Sequence, residues 1–554
     1  MAPMTEPQSG GTAAVITKSR PEPRQSFGPQ CLKLAVIVAM LVTVFLLFQY
    51  PLHRINSDSE INFNEGWNAY RQDFARQGIP LYGAPPDLLT GSTNYPPASF
   101  HIVGLLSGHG DVVKTARWIS VLSLIATGIL IALIIRQLGA DPVIAAFTML
   151  LYVLGITVFL PDRVGMDDPQ LLAEVFTTAG LYLYIRARKH AGALGSRPQF
   201  WDANLGLLCG SAFAFCLAGF TKQNLLAFPA AVGLDLLFRS RRRFLLWCGA
   251  MLLFAALFTG LTFALDGRFV FAHLFPHRAY SFDAALNSIT RLYLQTFQGI
   301  MLVALVWALV RFRSQPLLAM AFVFSNTLAF VLSGGDGVDL NIFFNAFTAA
   351  VIICGVALAE IENVVSTTQS ADHEGGAPPF SAPFAERAGE RVPPFSTAFA
   401  AKMSAALMLA LFLSLAIRVP ERLHEAHLRQ RYLADDDTGF RAAADLVRIT
   451  PGPALCESLL LCYRAGKPYE FDTYTAIEEI KSHHSDVDAG LPLMRSRHFA
   501  IIQLDAMPGE AMNEPPTIYR ARSRFTPEFV DALLQNYRLA LRTSHMLLFV
   551  SKGS

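Results

Sequence analysis

The chemistry this chain can do resides in five short polar clusters, each at the end of an apolar run. The first holds Asp58 and Glu60 and continues as Asn64-Glu65-Gly66-Trp67-Asn68-Ala69-Tyr70. A carboxylate beside aromatic rings at a membrane surface can serve as a general base, and burial of Glu65 against Trp67 or Tyr70 would raise its pKa. The plainer reading is a solvated acid on an amphipathic surface helix. The second cluster is Asp162-Arg163-Val164-Gly165-Met166-Asp167-Asp168-Pro169. Asp168 before Pro169 is a natural helix start, so a capping role stands beside a chemical one. Glu174 is seven residues after Asp167, which places both on one helix face, and an acid inside an apolar run is a functional signal by default. The third cluster is Thr221-Lys222-Gln223-Asn224, where Lys222 either snorkels to lipid headgroups or binds an anion at the interface. The fourth brings His273, His277 and Arg278 within six residues, a set that suits phosphate or anionic lipid alike. The fifth is a Gly-rich turn from Ser333 to Asn341.

Something must hold these clusters at a common level, and the composition says what. Hydrophobic residues make up 53% of the 554 and charged residues 16%, against about 25% charged in soluble domains. Mean hydropathy is +0.37. The net charge of +2 leaves no basic field for nucleic acid. A bilayer core takes roughly 20 apolar residues per helix. The runs at 33–50, 118–135, 143–160, 170–185, 203–220, 224–238, 244–265, 292–310, 315–333, 342–359 and 403–417 read as about eleven spans. Asp235 and Arg239, one turn apart, read as a helix-end ion pair. Alternate short loops are unequal in Lys and Arg, eleven against five, which puts the N-terminus in the cytoplasm and the tail after 418 outside. The chain divides into a disordered tail at 1–30, a membrane domain at 31–360 with a long outer loop at 51–117, a flexible cytoplasmic loop at 361–401, a last span at 402–418 and an outer domain at 419–554.

The outer domain reads as a small α/β fold. Asp437–Ile449 and Pro527–Gln535 are helix-like; Phe499–Leu504, Tyr537–Thr543 and Met546–Val550 are strand-like. Cys456 and Cys462, taken on one helix, have Cα atoms roughly 9 Å apart, beyond bridging distance, and so read as buried thiols. No Walker, Rossmann or His-Glu-x-x-His motif is present, which leaves soluble nucleotide chemistry without support.

In this order the clusters resemble the GT-C superfamily of polytopic glycosyltransferases, in the broad family 39-like group that uses polyprenyl-phosphate sugars. Residues 64–70, Gly78-Ile79-Pro80-Leu81-Tyr82 and Asn94-Tyr95-Pro96-Pro97 resemble its first outer loop. Arg163 with Asp167-Asp168 resembles the second acidic loop, Phe220-Thr221-Lys222-Gln223 a Thr-Lys-Gln junction, and Gly337 to Asn341 a late-span motif. Gly452 to Glu457, Ala465-Gly466-Lys467-Pro468 and Phe471-Asp472 resemble the soluble tail. The resemblance implies a GT-C-like all-α membrane domain of about eleven helices with a small C-terminal extracytoplasmic α/β domain, in a bacterial inner membrane. It implies an inverting transfer of a hexosyl or pentosyl group from a polyprenyl-phosphate sugar to a hydroxyl of a glycan, lipid or protein. A first-loop acid serves as base in that superfamily, often from an Asp-Glu pair. Here the pair is Asn64-Glu65, so the role falls to Glu65, or else to Asp58 or Glu60. Lys222, Arg163, His277 and Arg278 would hold the donor phosphate, and Asp167, Asp168, Glu174 and Asn341 would line the donor or acceptor site. No fixed cofactor is implied, and a divalent metal is compatible with the chemistry. The rival class is a polytopic transporter, which would place charges near the midplane and show inverted repeats.

Overall fold

The computed structural model describes residues 27–83, 94–193, 203–275, 278–370, 397–483, 485, 488–506 and 524–553. Most of the N-terminal tail, the Pro-Pro pair at 85–86, His277 and the Gly/Pro-rich centre of the 361–401 loop lie outside them.

All eleven apolar runs lie on helices. The first is α1 (Phe27–Arg54); the outer loop follows, with α2 (Asn64–Gln77) and α3 (Ala98–Ser107). Then come α4 (Val112–Gln137), α5 (Pro142–Phe159), α6 (Pro169–Ala193), α7 (Ala203–Thr221), α8 (Ala227–Arg239) and α9 (Arg241–Leu265). After the short α10 (Val270–Leu274), α11 (Phe282–Arg291) leads through a π-turn into α12 (Gln298–Arg311), and α13 (Pro316–Leu332), α14 (Phe344–Ser370) and α15 (Thr397–Ala416) follow. Among the described residues seven helices are long and apolar enough to cross a membrane. The pair Phe282–Thr296 and Gln298–Arg311, bent by 105°, would make eight. Three of the expected spans are not among them: α8 has 13 residues and α13 has 17, less than the roughly 20 a bilayer core requires, and α6, though 25 residues long, is too polar, carrying Glu174, Arg186, Arg188 and Lys189. The chain is a multi-pass membrane protein of helical fold.

Helix ends are set by local chemistry. Asp141 and Asp111 cap α5 and α4 by accepting backbone N–H bonds, and Pro142, Pro169 and Pro316 open their helices where a missing N–H costs nothing. Inside the bundle, some buried polar groups are paired within or across helices. Lys33 meets Glu362, and Asp235 takes Arg239 Nε at 2.9 Å and also the Tyr184 hydroxyl.

Beyond α15 the chain runs almost directly into α16 (Val419–Ile449), which carries it to the C-terminal domain, named the outer domain after the sequence reading. That domain has β1 (Ala454–Cys456), α17 (Leu459–Arg464), α18 (Thr473–Lys481), α19 (Leu491–Arg495), β2 (Ile501–Asp505), α20 (Pro527–Asn536), β3 (Tyr537–Arg542) and β4 (Met546–Ser551). The sheet order is β1-β2-β4-β3, parallel at β1/β2 and antiparallel elsewhere. Strand alternation divides its burial. Leu455, Ile502, Leu504, Leu547 and Phe549 pack with Phe529 and Leu533 of α20. Ala454, Ile501 and Leu548 face Phe440, Ala443 and Val447 of α16 and also Ala69 and Tyr70 of α2. The second layer fastens the outer domain to the first outer loop.

The two outer cysteines form a disulfide, with Cα atoms 5.9 Å apart, which corrects the reading of separate thiols. They do not share a helix. Cys456 ends β1, Cys462 lies in α17, and the break at Glu457-Ser458 folds one back over the other.

Candidate functional site

The 51–117 loop, the 160s loop, the α7–α8 junction and the turn before α14 converge at one end of the bundle. Glu65, in the first turn of α2, is wholly buried. Its Oε1 accepts from Arg117 Nε at 2.9 Å and from the Asp167 N–H at 3.0 Å. Its Oε2 accepts from Arg117 Nη2 at 2.7 Å and from the Ile61 N–H at 2.9 Å. Arg117, at the start of α4, is equally buried and also donates to the carbonyls of Ser57 and Ser59, both at 2.7 Å. Burial is the largest influence on Glu65 and pushes its pKa up, but the Arg117 charge and these hydrogen bonds outweigh it and hold the carboxyl below its ordinary value. The expected upward shift against Trp67 or Tyr70 is therefore wrong in sign. Those rings face the outer domain instead, Trp67 donating to the Tyr469 hydroxyl at 2.6 Å and Tyr70 to the Lys467 carbonyl at 2.6 Å.

Asp167 and Asp168 are neighbours with opposite surroundings. Asp167 is buried, and its carboxylate receives one side-chain donor, Gln72 Nε2, at 2.8 and 2.9 Å from the two oxygens. Burial raises its pKa well above the carboxylate range, the Glu65 charge adds to this, and Gln72 and Arg117 offset it only in part. Asp168 is filled. Oδ1 accepts from the Gln170 N–H at 2.7 Å and Lys222 Nζ at 3.1 Å; Oδ2 accepts from Arg163 Nη1 at 3.2 Å and Asn341 Nδ2 at 3.3 Å. Burial pushes Asp168 up, but Lys222 and Arg163 bring it below its usual value. It both caps α6 and anchors an ion cluster, so the two readings of it hold together.

Lys222 is 7% exposed and does not snorkel. Its Nζ meets Asp168 and lies 4.8 Å from the centroid of the Tyr95 ring. Arg163 pairs with Asp339 as well as Asp168. Lys222 and Arg163 are thus matched by two carboxylates. Gln223 Nε2 donates to the Asn94 carbonyl at 2.7 Å, which ties the Thr-Lys-Gln junction to the Asn-Tyr-Pro-Pro segment. Gly337 turns with φ +71°, and the Tyr474 hydroxyl occupies the place of its missing Cβ while donating to the Asp336 carbonyl at 2.9 Å.

The other expected residues are dispersed. Glu174 does not share a contact face with Asp167, because Asp167 precedes α6 and turns toward α2. Glu174 instead joins α6 to α14, accepting from Gln170 at 3.1 Å and Thr348 at 3.3 Å, with the Asn345 amide 2.8 Å away when oriented to donate. Asp58 is partly exposed, 3.8 Å from Lys114 and 3.9 Å from Arg441. Glu60 accepts from Ser458 of the outer domain, and its other oxygen is buried without a partner. Burial, opposed by the Ser458 bond and reinforced by the charges of Asp505 and Glu65, pushes Glu60 up to about 8. Arg278 lies near enough to act electrostatically on Tyr95 and Tyr474.

Beside Asp167 is a narrow cleft of about 10 Å³, lined by Asn68, Gln72, Ser99, Ser120, Asp167 and Asp168 with an apolar wall that includes Phe100 and Leu172. Gln72 Oε1 and Ser99 Oγ have no partner there. These unfilled groups give the cleft polar atoms on an apolar wall, and as it stands it has room for about one water. Among the described residues no group of three or more His, Cys, Asp or Glu could hold a metal ion. Arg117 and Gln72 escape a reading of the sequence alone: Arg117 resembles the flank of a span, and an Arg at that boundary was the one available signal.

Residues 94–278 match the family model of the dolichyl-phosphate-mannose-protein mannosyltransferases. No curated protein matches the chain. Among solved structures, the chain is similar to ArnT from Cupriavidus metallidurans bound to undecaprenyl phosphate, with 16% identity over 96% of this chain and 99% of that one and a TM-score of 0.53. The apo form of ArnT gives 15%, 94%, 98% and 0.54. At such identity the likeness is one of fold, and the fold is that of ArnT.

Proposed function

We propose, with the GT-C fold as premise, that this chain moves a sugar from a polyprenyl-phosphate donor to an acceptor hydroxyl on the outer side of a bacterial inner membrane, with inversion. One observation carries the mechanism: Asp167 borders the cleft, has unfilled acceptor capacity and has a raised pKa. A general base needs all three. Glu65 has none to spare, since four donors saturate it. In the reaction Asp167 takes the acceptor O–H proton as the oxygen attacks the anomeric carbon. The bond from that carbon to phosphate breaks, and the prenyl phosphate leaves with the bonding pair. Phosphate is a weak base and requires no general acid; in this reading Lys222, Arg163 and Arg278 would meet its growing charge, the first two by exchanging their present carboxylate partners for it. Glu65 and Arg117 serve as the strut that sets the Asp167 backbone.

Two features support the orientation. The excess of Lys and Arg in alternate loops points to a cytoplasmic N-terminus, and a disulfide in the C-terminal domain fits an oxidising compartment. The structural relative was solved with undecaprenyl phosphate, which supports a lipid carrier here. The test is transfer of labelled sugar from polyprenyl-phosphate hexose and pentose donors by the purified protein in lipid vesicles. Donor-dependent label on an acceptor, abolished in Asp167→Asn, supports the reading; uptake of free sugar into sealed vesicles without lipid-linked donor would replace it with the transporter.

A further inference from the structure

Arg71 stands one residue before Gln72 on α2 and is 4% exposed. Its guanidinium makes a single hydrogen bond, Nη1 to the Leu81 carbonyl at 3.2 Å. Nε and Nη2 are buried without a partner. Among the described residues no carboxylate forms an ion pair with it; Tyr469, Tyr82 and Asp472 act on it only through charge at longer range. A buried guanidinium with two idle donors is costly unless something arrives to accept them.

His273 of α10 is its counterpart, 3% exposed. Its Nε2 lies 3.0 Å from the Gly83 carbonyl. A carbonyl only accepts, so Nε2 carries the proton and Nδ1 is left as an acceptor, also buried and unpartnered. Burial keeps this imidazole neutral; the Gly83 bond opposes that and the Arg71 charge reinforces it. Arg71 and His273 therefore grip residues 81 and 83 from two different helices. Tyr82 lies between them, its ring edge-on to His273 at 5.5 Å, its hydroxyl donating to the Tyr95 carbonyl at 2.9 Å. Tyr95 in turn lies under Lys222. The pair adjoins the Asp168–Lys222 cluster through two aromatic residues.

Anchoring the 81–83 segment accounts for Nη1 and Nε2 and leaves two donors and one acceptor over. We propose that Arg71 and His273 form an anion subsite for the acceptor, which takes an acidic sugar: a carboxylate or phosphate meets Arg71, and an adjacent hydroxyl donates to His273 Nδ1. A polyprenyl-phosphate sugar offers the same two groups, a phosphate and a neighbouring sugar hydroxyl, and the prenyl phosphate arm of the experiment separates that source from an acidic acceptor. The word acceptor rests on the transferase reading; the anion site does not.

The experiment measures binding by the purified full-length protein, without turnover. The probes are glucuronate, glucose 6-phosphate, glucose and farnesyl phosphate. Saturable binding of glucuronate or glucose 6-phosphate, with none of glucose, is expected, and whichever acid binds names the charged group. Arg71→Gln should weaken it at least ten-fold, while Arg71→Lys retains part. His273→Gln keeps a donor for Gly83 but has no Nδ1, and should lose the preference for glucuronate over acetate; it serves as the test if Arg71→Gln does not fold. Equal binding of glucose, or unchanged anion binding in both variants, overturns the subsite. Farnesyl phosphate displacing glucuronate at lower concentration than glucose 6-phosphate would assign the site to the carrier and overturn the acceptor proposal. Failure of sugar transfer from lipid-linked donors, with anion binding intact, would instead count against the transferase reading alone.

Discussion

Two isosteric changes, Asp167→Asn and Glu65→Gln, should separate a base from a strut. In Asp167→Asn the Oδ1 still accepts from Gln72 Nε2, and the new amide loses one of two contacts now at 2.8 and 2.9 Å. That costs about 1 kcal/mol, partly returned because the like charge of Glu65 no longer opposes it. Stability should therefore stay within about 1 kcal/mol of wild type. Turnover should fall by about 10²–10⁴, the usual worth of a general base. In Glu65→Gln the new amide faces Arg117 Nη2 and the Ile61 N–H, donor against donor, and a buried guanidinium loses its counter-charge. Removing one partner of such a pair costs about 3–5 kcal/mol. The readouts are thermal unfolding in detergent and single-turnover sugar transfer across pH. In the wild type the rate should climb as Asp167 loses its proton, over a range above the ordinary carboxylate pKa, and Asp167→Asn should lack that limb. A Glu65→Gln protein with wild-type unfolding and no turnover, beside an active Asp167→Asn, would reverse the assignment.

Three further outcomes follow from named contacts. A Cβ added at Gly66 would lie 2.6 Å from the Leu459 carbonyl carbon, so Gly66→Ala should lift the outer domain off α2 and raise proteolysis or hydrogen exchange over 457–464 while the membrane helices stay protected. Loss of the Cys456–Cys462 bridge closes no large loop, and the double Ser variant should lower the outer domain's stability by about 2 kcal/mol; in cells, a maleimide that reacts with both thiols without prior reduction would contradict an external tail. Glu60 is held near 8 when folded, against an ordinary 4.5. Below 4.5 it is protonated in both states; between 4.5 and 8 only the unfolded chain releases the proton, so stability should fall with rising pH, by at most about 1.4 kcal/mol per unit, and level off above 8. Glu60→Gln should remove that slope.

The parts of this fold that were legible in the sequence are those set by local physics. Long, nearly uncharged runs favour helix, so the apolar runs lie on helices, and short continuous apolar runs exposed β2 through Ile501 and Ile502 and β4 through Leu547 and Phe549. The polar motifs around Glu65, Asp168, Lys222 and Asn341 were legible as a set because each ends a helix on the same side. Their pairings were not. Nothing local tells Glu65 that Arg117 lies 52 residues on, or Lys222 that Asp168 will neutralise it. The disulfide was missed because a helical period was assumed through Glu457-Ser458, where the chain turns.

The adjacent acids show why pairing, rather than residue type, distributes the roles. Asp167 and Asp168 are neighbours on one loop, yet four donors converge on the second and one amide reaches the first. The donors that favour charge on Asp168 also make it a weak base. The scarcity of donors around Asp167, together with the Glu65 charge held close by, makes it a stronger one. Glu65 is thus required to be ionised for Asp167 to be basic, and Arg117 is required for Glu65 to be ionised. On this logic Arg117→Lys, which keeps the charge but not the fork that holds both oxygens, should leave the protein folded, shift the rate limb assigned to Asp167 and lower the maximum rate. A variant with an unmoved pH profile and only a lower melting temperature would reduce Arg117 to scaffolding.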